Sequence, residues 1–201
     1  MSELRVALTF DAEHPARSHC PPGTQERVLE VLDESGVRST FFLQGRWASA
    51  YPETARRIAA AGHRIGNHSD HHAHVTEFSD DGLRADVSAA EETIRDIAGA
   101  DPRPWFRCPF GDGHDDPRIA AVLAQLGYRH VHWDVEAFDW DGGMSADDVT
   151  RTVVDGVSAH GDGAVVLFHT WPATTPPALV RVIERLRDGG AAFVTVDEVL
   201  A

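Results

Sequence analysis

The sequence predicts an α/β fold in which parallel strands are covered by helices. Short apolar runs alternate with amphipathic helical segments along all 201 residues, and seven such units can be distinguished. No linker, internal repeat or low-complexity stretch interrupts this alternation. Because a chain of this length can bury roughly 70% of its unfolded surface, we expect a single domain over residues 1–201.

The first half of the chain shows both the helical and the strand period. Val28, Leu29 and Leu32 form an apolar stripe at helical spacing, and Gly36 follows this stripe as a terminator. Pro52 suits the first position of a second helix, because an N–H at that position would have no partner. The predicted elements are a strand at 4–10, a helix at 25–35, a strand at 37–43, a helix at 52–62 and a strand at 63–66.

The second half repeats the alternation. Leu83, Val87 and Ile94 lie on one helical face. Ser145, with Asp148 three residues later, has the pattern of a capping box at the start of a helix. The predicted elements are a helix at 82–98, a strand ending at 105–107, a helix from 117 to 127, a strand at 128–133, a helix after 145, a strand at 164–168, a helix at 177–187 and a strand at 192–196.

Six polar side chains with catalytic potential follow the predicted strands. They are Asp11, His68, His72, Arg107, Asp139 and His169. In parallel α/β folds the active site lies at the edge where the strands end. The apolar pattern fits an open, doubly wound sheet as well as a barrel. Polar residues drawn from five different loops favour a barrel-like site.

Composition excludes several classes of function. The chain has 18 basic and 32 acidic residues, a net charge of −14, and every basic residue is arginine. Without lysine it has neither a P-loop nor a Schiff-base amine, and the acidic excess argues against nucleic-acid binding. No apolar run approaches the ~20 residues of a membrane span. The first residues carry no export signal, so we expect a cytoplasmic protein with free thiols at Cys20 and Cys108.

Two histidines carry the strongest local signal. His68 and His72 are four residues apart, and on a helical turn this spacing places both imidazoles on one side. Neutral imidazoles suit a divalent ion of the zinc type. A third ligand is expected from Asp11 or Glu13. These carboxylates follow a buried strand and, being two residues apart in extended chain, can point the same way.

Five short motifs, in order along the whole chain, resemble the polysaccharide deacetylase family, which is family 4 of the carbohydrate esterases. They are residues 9–13, 68–72, 107–110, 139–140 and 167–169. The resemblance implies a distorted (β/α) barrel with about seven parallel strands and one divalent metal ion. It also implies an enzyme that removes acetyl groups from N-acetylated sugars or oligosaccharides.

The resemblance further implies roles for individual residues. The catalytic group would comprise the general base Asp11, Arg107 to hold that base ionised, the general acid His169 and Asp139 to tune it. The metal ligands would include His68 and His72. A backbone N–H near Phe110 would donate a hydrogen bond to the oxyanion of the reacting substrate. Trp140 and Leu167 would line the pocket for the acetyl group. Trp171 suits stacking on a sugar ring or simple packing.

One position departs from the family pattern. The usual first motif has a second aspartate directly after the base, and that aspartate ligates the metal, whereas this chain has Ala12. Glu13 fits a variant that resembles some branches of the family, and we expect it to be the third ligand. Two alternatives stay open: Asp11 itself ligates the ion and the base comes from elsewhere, or the metal is weak or absent.

The sequence therefore predicts a metal-dependent deacetylase with one divalent ion, zinc before cobalt or nickel, and a small-molecule or oligosaccharide substrate. One alternative is an amidohydrolase of the same fold that acts on a cyclic imide or a formamide. Another is an acetyl-ester hydrolase that acts on xylan-type substrates. A third is a non-catalytic carbohydrate-binding domain.

Overall fold

The computed structural model describes residues 4–14, 16 and 20–200, in which strands and helices alternate. The strands are β1 (Leu4–Ala12), β2 (Thr40–Leu43), β3 (Arg64–Asn67), β4 (Trp105–Phe106), β5 (Arg129–His130), β6 (Val135–Glu136), β7 (Ala164–His169) and β8 (Ala191–Val194). The helices are α1 (Thr24–Glu34), α2 (Gly45–Ala50), α3 (Pro52–Ala60), α4 (Asp80–Ala98), α5 (Pro117–Gln125), α6 (Ala146–His160), α7 (Thr175–Asp188) and α8 (Val196–Leu200).

The chain forms two compact units, each with its own strands. Of the described residues, the first unit comprises those within 1–10, 16–40 and 133–201, and the second comprises those within 11–15 and 41–132. In the first unit the strand order is β1-β7-β6, and β8 also pairs with β1. In the second unit the order is β5-β4-β3-β2. The pairs β1–β8, β6–β7, β3–β4 and β4–β5 are all parallel.

The predicted order of elements is confirmed, and the differences concern short segments. The strand expected at 128–133 is confined to β5, because the chain then changes hydrogen-bond partner. Val131 N–H still donates to the Phe106 carbonyl, whereas Asp134 N–H donates to the Val165 carbonyl. Helices α2 and α8 and strand β6 are absent from the sequence prediction, since segments of two to six residues show no period.

Each unit has its own buried apolar contacts. In the second unit, Leu83 and Val87 of α4 pack with Phe106 and Ile119. In the first, α6 packs on α7, and the sides that are buried carry Val153 and Leu179, among others. Burying one such side chain contributes about 1.5–3 kcal/mol. None of the described helices is both long and apolar enough to cross a bilayer.

The two cysteines are buried free thiols, as the sequence predicts. Burial raises the pKa of Cys108 to about 12, and Asp112 acts in the same direction. Burial also raises the pKa of Cys20. Both side chains are therefore protonated at neutral pH.

The capping box predicted at Ser145 is present and supports a stability test. Ser145 Oγ accepts from Asp148 N–H at 3.2 Å, and the Asp148 carboxylate accepts from Ser145 N–H at 3.2 Å. We expect Ser145→Ala to lower the free energy of unfolding by about 1 kcal/mol in a urea titration followed by circular dichroism. Ser158→Ala, at an exposed position of the same helix, is the control and should change it by less than about 0.5 kcal/mol. Equal losses would contradict the role of the cap.

Candidate active site

Three side chains of the second unit converge where β1 and β3 end. The ligand atoms of Glu13, His68 and His72 all lie within 4.8 Å of one another, and no other group of this kind occurs among the described residues. His68 Nε2 lies 3.4 Å from Glu13 Oε2, and His72 Nε2 contacts the same oxygen. The two imidazole centroids are 4.9 Å apart. The structure thus brings together the three residues predicted as metal ligands.

The donor set fits a divalent ion of the zinc type. His68 Nδ1 lies 2.9 Å from the Arg107 carbonyl oxygen, to which it must donate, so in the neutral imidazole Nε2 carries the lone pair that a metal ion would use. The Nε2 atoms of His68 and His72 are buried, yet among the described residues neither has a hydrogen-bond partner of acceptable geometry. Two imidazoles and one carboxylate form a common ligand set for catalytic zinc. These buried nitrogens therefore have the chemistry that a metal ion would satisfy.

Burial and charge act against each other on the two histidines. Burial lowers the pKa of His68, but the carboxylates of Asp11 and Glu13 outweigh it, so that the pKa lies above its ordinary value. At His72, burial outweighs Glu13, and the charge of His68 acts with burial, so that the pKa is lowered. His72 is therefore held neutral, which is the form that binds metals.

Asp11 is oriented by a buried arginine. Arg107 is 0% exposed; its Nη1 donates to Asp11 Oδ1 at 2.9 Å and its Nε donates to the Val131 carbonyl at 3.2 Å. The guanidinium also lies 4.1 Å from the centre of the Phe42 ring. Burial lowers the pKa of Arg107, and the Asp11 carboxylate partly offsets this. The other carboxylate oxygen, Oδ2, lies 3.5 Å from His68 Nε2, beside the three ligand atoms.

The segment that carries both histidines is a loop and not the helical turn that the spacing suggested. Ser69 and His72 have positive φ values of 67° and 55°, which an α-helix does not allow. Ser69 Oγ accepts from His72 N–H at 3.1 Å, and Asn67 Oδ1 accepts from Ser69 N–H at 2.9 Å. The two imidazoles lie close together because these side-chain acceptors fold the loop back on itself. The prediction that His68 and His72 share one side is therefore confirmed, but the helical turn on which it was based is absent from residues 68–72.

Phe110 lies beside the metal-ligand group with an unusual backbone. Its φ is 59° within the short turn Pro109–Gly111, and its side chain is 61% exposed. The ring meets His72 edge to face at 4.5 Å between centroids and stacks on His74 at 4.6 Å. The sequence analysis assigned a role only to a backbone N–H near Phe110. The contacts of the Phe110 ring with His72 and His74 were not predicted.

The other predicted residues lie in the first unit, around His169 at the end of β7. Asp139 accepts from His169 Nδ1 at 2.8 Å, from His169 N–H at 2.8 Å and from the Thr175 hydroxyl at 2.6 Å. Because Asp139 holds Nδ1, Nε2 is the nitrogen of His169 that can act on a substrate. The sequence did not indicate Thr175, because a threonine at the start of a helix has no pattern that marks it as catalytic.

The three predicted substrate contacts of this unit differ in exposure. Leu167 is buried in β7, whereas Trp140 is 46% exposed, with its indole N–H donating to Glu136 at 2.9 Å. The Trp171 ring lies 5.9 Å from that of His169. Trp171 is thus placed next to the proposed acid, and Trp140 has an accessible aromatic surface.

Two residues support the metal-ligand group from outside it: His14, which the sequence offered as a support for Glu13, and Asp86, which sequence reasoning missed. His14 Nε2 lies 3.2 Å from Glu13 Oε1. Asp86 of α4 accepts hydrogen bonds from the loop that carries His68 and His72. A signal for Asp86 does exist: it is an acidic residue three positions after Leu83, on the apolar stripe of its helix.

Residues 1–131 match the family model described as polysaccharide deacetylase. This chain belongs to the polysaccharide deacetylase family. It is 32% identical over 199 residues to the peptidoglycan-N-acetylglucosamine deacetylase of Bacillus cereus, which covers 97% of this chain and 68% of the relative. The predicted enzyme class, a carbohydrate deacetylase, is confirmed at the level of this family.

Solved structures agree in fold. The family 4 carbohydrate esterase from Streptomyces lividans in complex with acetate has a TM-score of 0.81 and 32% identity, over 94% of this chain and 91% of that one. Wild-type BA3943 of Bacillus anthracis, described as a CE4 family pseudoenzyme, has a TM-score of 0.87 and 26% identity, over 99% of this chain and 66% of that one. The predicted fold class, a distorted (β/α) barrel with about seven parallel strands, is confirmed.

Proposed function

We propose that this deacetylase is zinc-dependent and hydrolyses the acetamide of an N-acetylated sugar or oligosaccharide. The observation that carries the proposal is the convergence of Glu13, His68 and His72 beside an aspartate held by a buried arginine. Membership of the polysaccharide deacetylase family supports the reaction, and the name of the Bacillus cereus relative supports the class of sugar.

Asp11 is proposed as the general base. A bound divalent ion would lower the pKa of water and polarise the acetyl carbonyl. With Oδ1 engaged by Arg107, Asp11 accepts the proton of the attacking water at Oδ2, the oxygen near His68. The water oxygen bonds to the carbonyl carbon, and the negative charge that develops on the carbonyl oxygen meets the backbone N–H near Phe110.

His169 is proposed as the general acid. Its Nδ1 is held by Asp139, so Nε2 donates a proton to the sugar nitrogen as the C–N bond breaks, and acetate and the free amine result. Trp140 and Leu167 are proposed to enclose the acetyl methyl group, and Trp171 to stack on the sugar ring.

Acetate release tests the proposed function. Protein loaded with zinc should release acetate from N-acetylated chitooligosaccharides and peptidoglycan fragments, and His68→Ala should abolish the release. If acetate is released from acetylated xylan and from none of the N-acetylated substrates, then the protein is an ester hydrolase and the proposed amide reaction is wrong. Turnover of a cyclic imide or a formamide without acetate release would indicate the non-sugar amidohydrolase. Stoichiometric zinc with no turnover of any of these substrates would leave a binding domain and overturn the proposal.

The role of His169 gives a second prediction. His169→Ala should lower kcat/KM for the N-acetyl substrate by about 10²–10⁴-fold, because an amine leaves only when protonated. An acetyl ester of nitrophenol should be affected much less, because nitrophenolate leaves without a proton. His160→Ala, at the exposed end of α6, is the control. Equal losses on both substrates would show that His169 does not act as the acid.

A further inference from the structure

The loop that carries His68 and His72 is tied to helix α4 by one buried carboxylate. Asp86 Oδ2 accepts from Asp70 N–H at 3.1 Å, and Asp86 Oδ1 accepts from His71 N–H at 3.1 Å. His71 Nδ1 lies 2.9 Å from the same Oδ1. Asp86 is only 5% exposed. The Asp86 side chain thus makes three contacts with Asp70 and His71, which lie in the sequence between the proposed ligands His68 and His72.

The backbone N–H groups of residues 68–72 are all bonded, and Asp86 accounts for two of the five. His68 N–H donates to the Leu43 carbonyl, and the N–H groups of Ser69 and His72 have acceptors within the loop or directly before it. Carbonyls of the loop are bonded as well, since the Ser69 carbonyl accepts from Gly45 N–H at 3.0 Å. Asp86 is the acceptor that links the centre of the loop to a long helix, and a helix is a more rigid support than the loop itself.

The contacts require a carboxylate. An ionised carboxylate only accepts, so His71 Nδ1 must carry the proton that faces it, and all three contacts are then donations to Asp86. An asparagine of the same size offers one oxygen and one NH2 group. The NH2 group would face at least one N–H of the loop, leaving a buried donor without an acceptor.

We propose that Asp86 is a positioning residue that sets the separation of His68 and His72, and thereby the affinity of the site for zinc. This inference rests on the zinc site of the proposed function. Residues that orient metal ligands from outside the coordination sphere typically change metal affinity 10–100-fold when replaced. Asp86 differs from the usual case in that it acts on the backbone of the ligand loop and not on an imidazole of the site.

Zinc affinity, measured without substrate by competition with a chromophoric chelator, tests this inference. Asp86→Asn should weaken zinc binding about 10–100-fold. The matched control is Asp96→Asn, the same change at an exposed position of α4, which should leave affinity unchanged. His71→Ala removes one contact and keeps both backbone hydrogen bonds, so it should change affinity by less than about threefold. Asp86→Glu, which keeps the charge, should lose less affinity than Asp86→Asn.

Several outcomes would overturn the role of Asp86. Unchanged zinc affinity in Asp86→Asn would do so, and so would a loss in His71→Ala as large as that in Asp86→Asn. Hydrogen exchange in the metal-free wild-type protein gives a reading that needs no variant to fold: the amides of Asp70 and His71 should be protected, and rapid exchange would contradict the anchor. Failure of the wild-type chain to bind zinc would instead overturn the proposed function.

Discussion

Glu13→Ala is expected to remove the metal and the activity together. Glu13 supplies the only carboxylate of the three-residue ligand group, and His72 Nε2 and His68 Nε2 both lie against its Oε2. Replacing a residue outside the coordination sphere typically costs 10–100-fold in metal affinity. Loss of a direct ligand should therefore cost more than about 100-fold, and acetate release at micromolar zinc should disappear.

Zinc content after dialysis and zinc affinity by chelator competition are the measurements. Glu77→Ala changes an exposed glutamate of the same unit and should keep both zinc and activity. The result also decides between the alternatives left open by Ala12. If Glu13→Ala retains zinc whereas Asp11 variants lose it, then Asp11 is the ligand and the base lies elsewhere.

Asp11→Asn is expected to keep zinc and lose turnover. An asparagine preserves the shape of the side chain but has no basic oxygen to accept a proton, so kcat should fall by about 10²–10⁴-fold. Zinc affinity should stay within a few fold of the wild type, because Glu13, His68 and His72 are intact. Equal loss of zinc in Asp11→Asn and Glu13→Ala would show that the assignment of base and ligand is wrong.

The same variant should also lose stability, and this loss must be separated from the loss of turnover. Arg107 is fully buried, and the Asp11 carboxylate pairs with it at 2.9 Å. Removing one charge of a buried pair typically destabilises by about 3–5 kcal/mol. We therefore expect a lower Tm for Asp11→Asn, and kcat should be measured well below that temperature with the folded fraction checked by circular dichroism.

The sequence was sufficient to predict the long elements and the grouping of the ligands, for identifiable reasons. Helix α4 has a full apolar stripe, and the buried strand β1 is mostly apolar, so both can be recognised in the sequence. Glu13 and His68 follow buried strands, and parallel strands place such residues at one edge. The interpretation of His68 and His72 as a helical pair is wrong, because the loop is shaped by Ser69 and Asn67 side chains that have no spacing rule.

Other features could not be predicted because they depend on contacts between distant residues. Asp86 acts on a loop about 15 residues before it, and Thr175 acts on Asp139 about 36 residues before it. The place of Asp86 on an apolar stripe indicates that it is buried, but nothing in the local pattern around either residue identifies its partner. The identity of the metal, the cytoplasmic location and the roles of individual site residues stay predictions, and the substitutions described above address the metal ligands and the roles of the catalytic residues.

The protonated state of both cysteines has a practical consequence for metal substitution. Thiolate sulfur is a soft ligand that suits zinc and cobalt, and burial disfavours the thiolate at both cysteines because it raises their pKa, that of Cys108 to about 12. Cobalt added to the metal-free protein should therefore give an absorption spectrum without sulfur-to-metal charge transfer. Its visible bands would then report a nitrogen and oxygen environment, which gives a spectroscopic reading of the bound ion that does not depend on turnover.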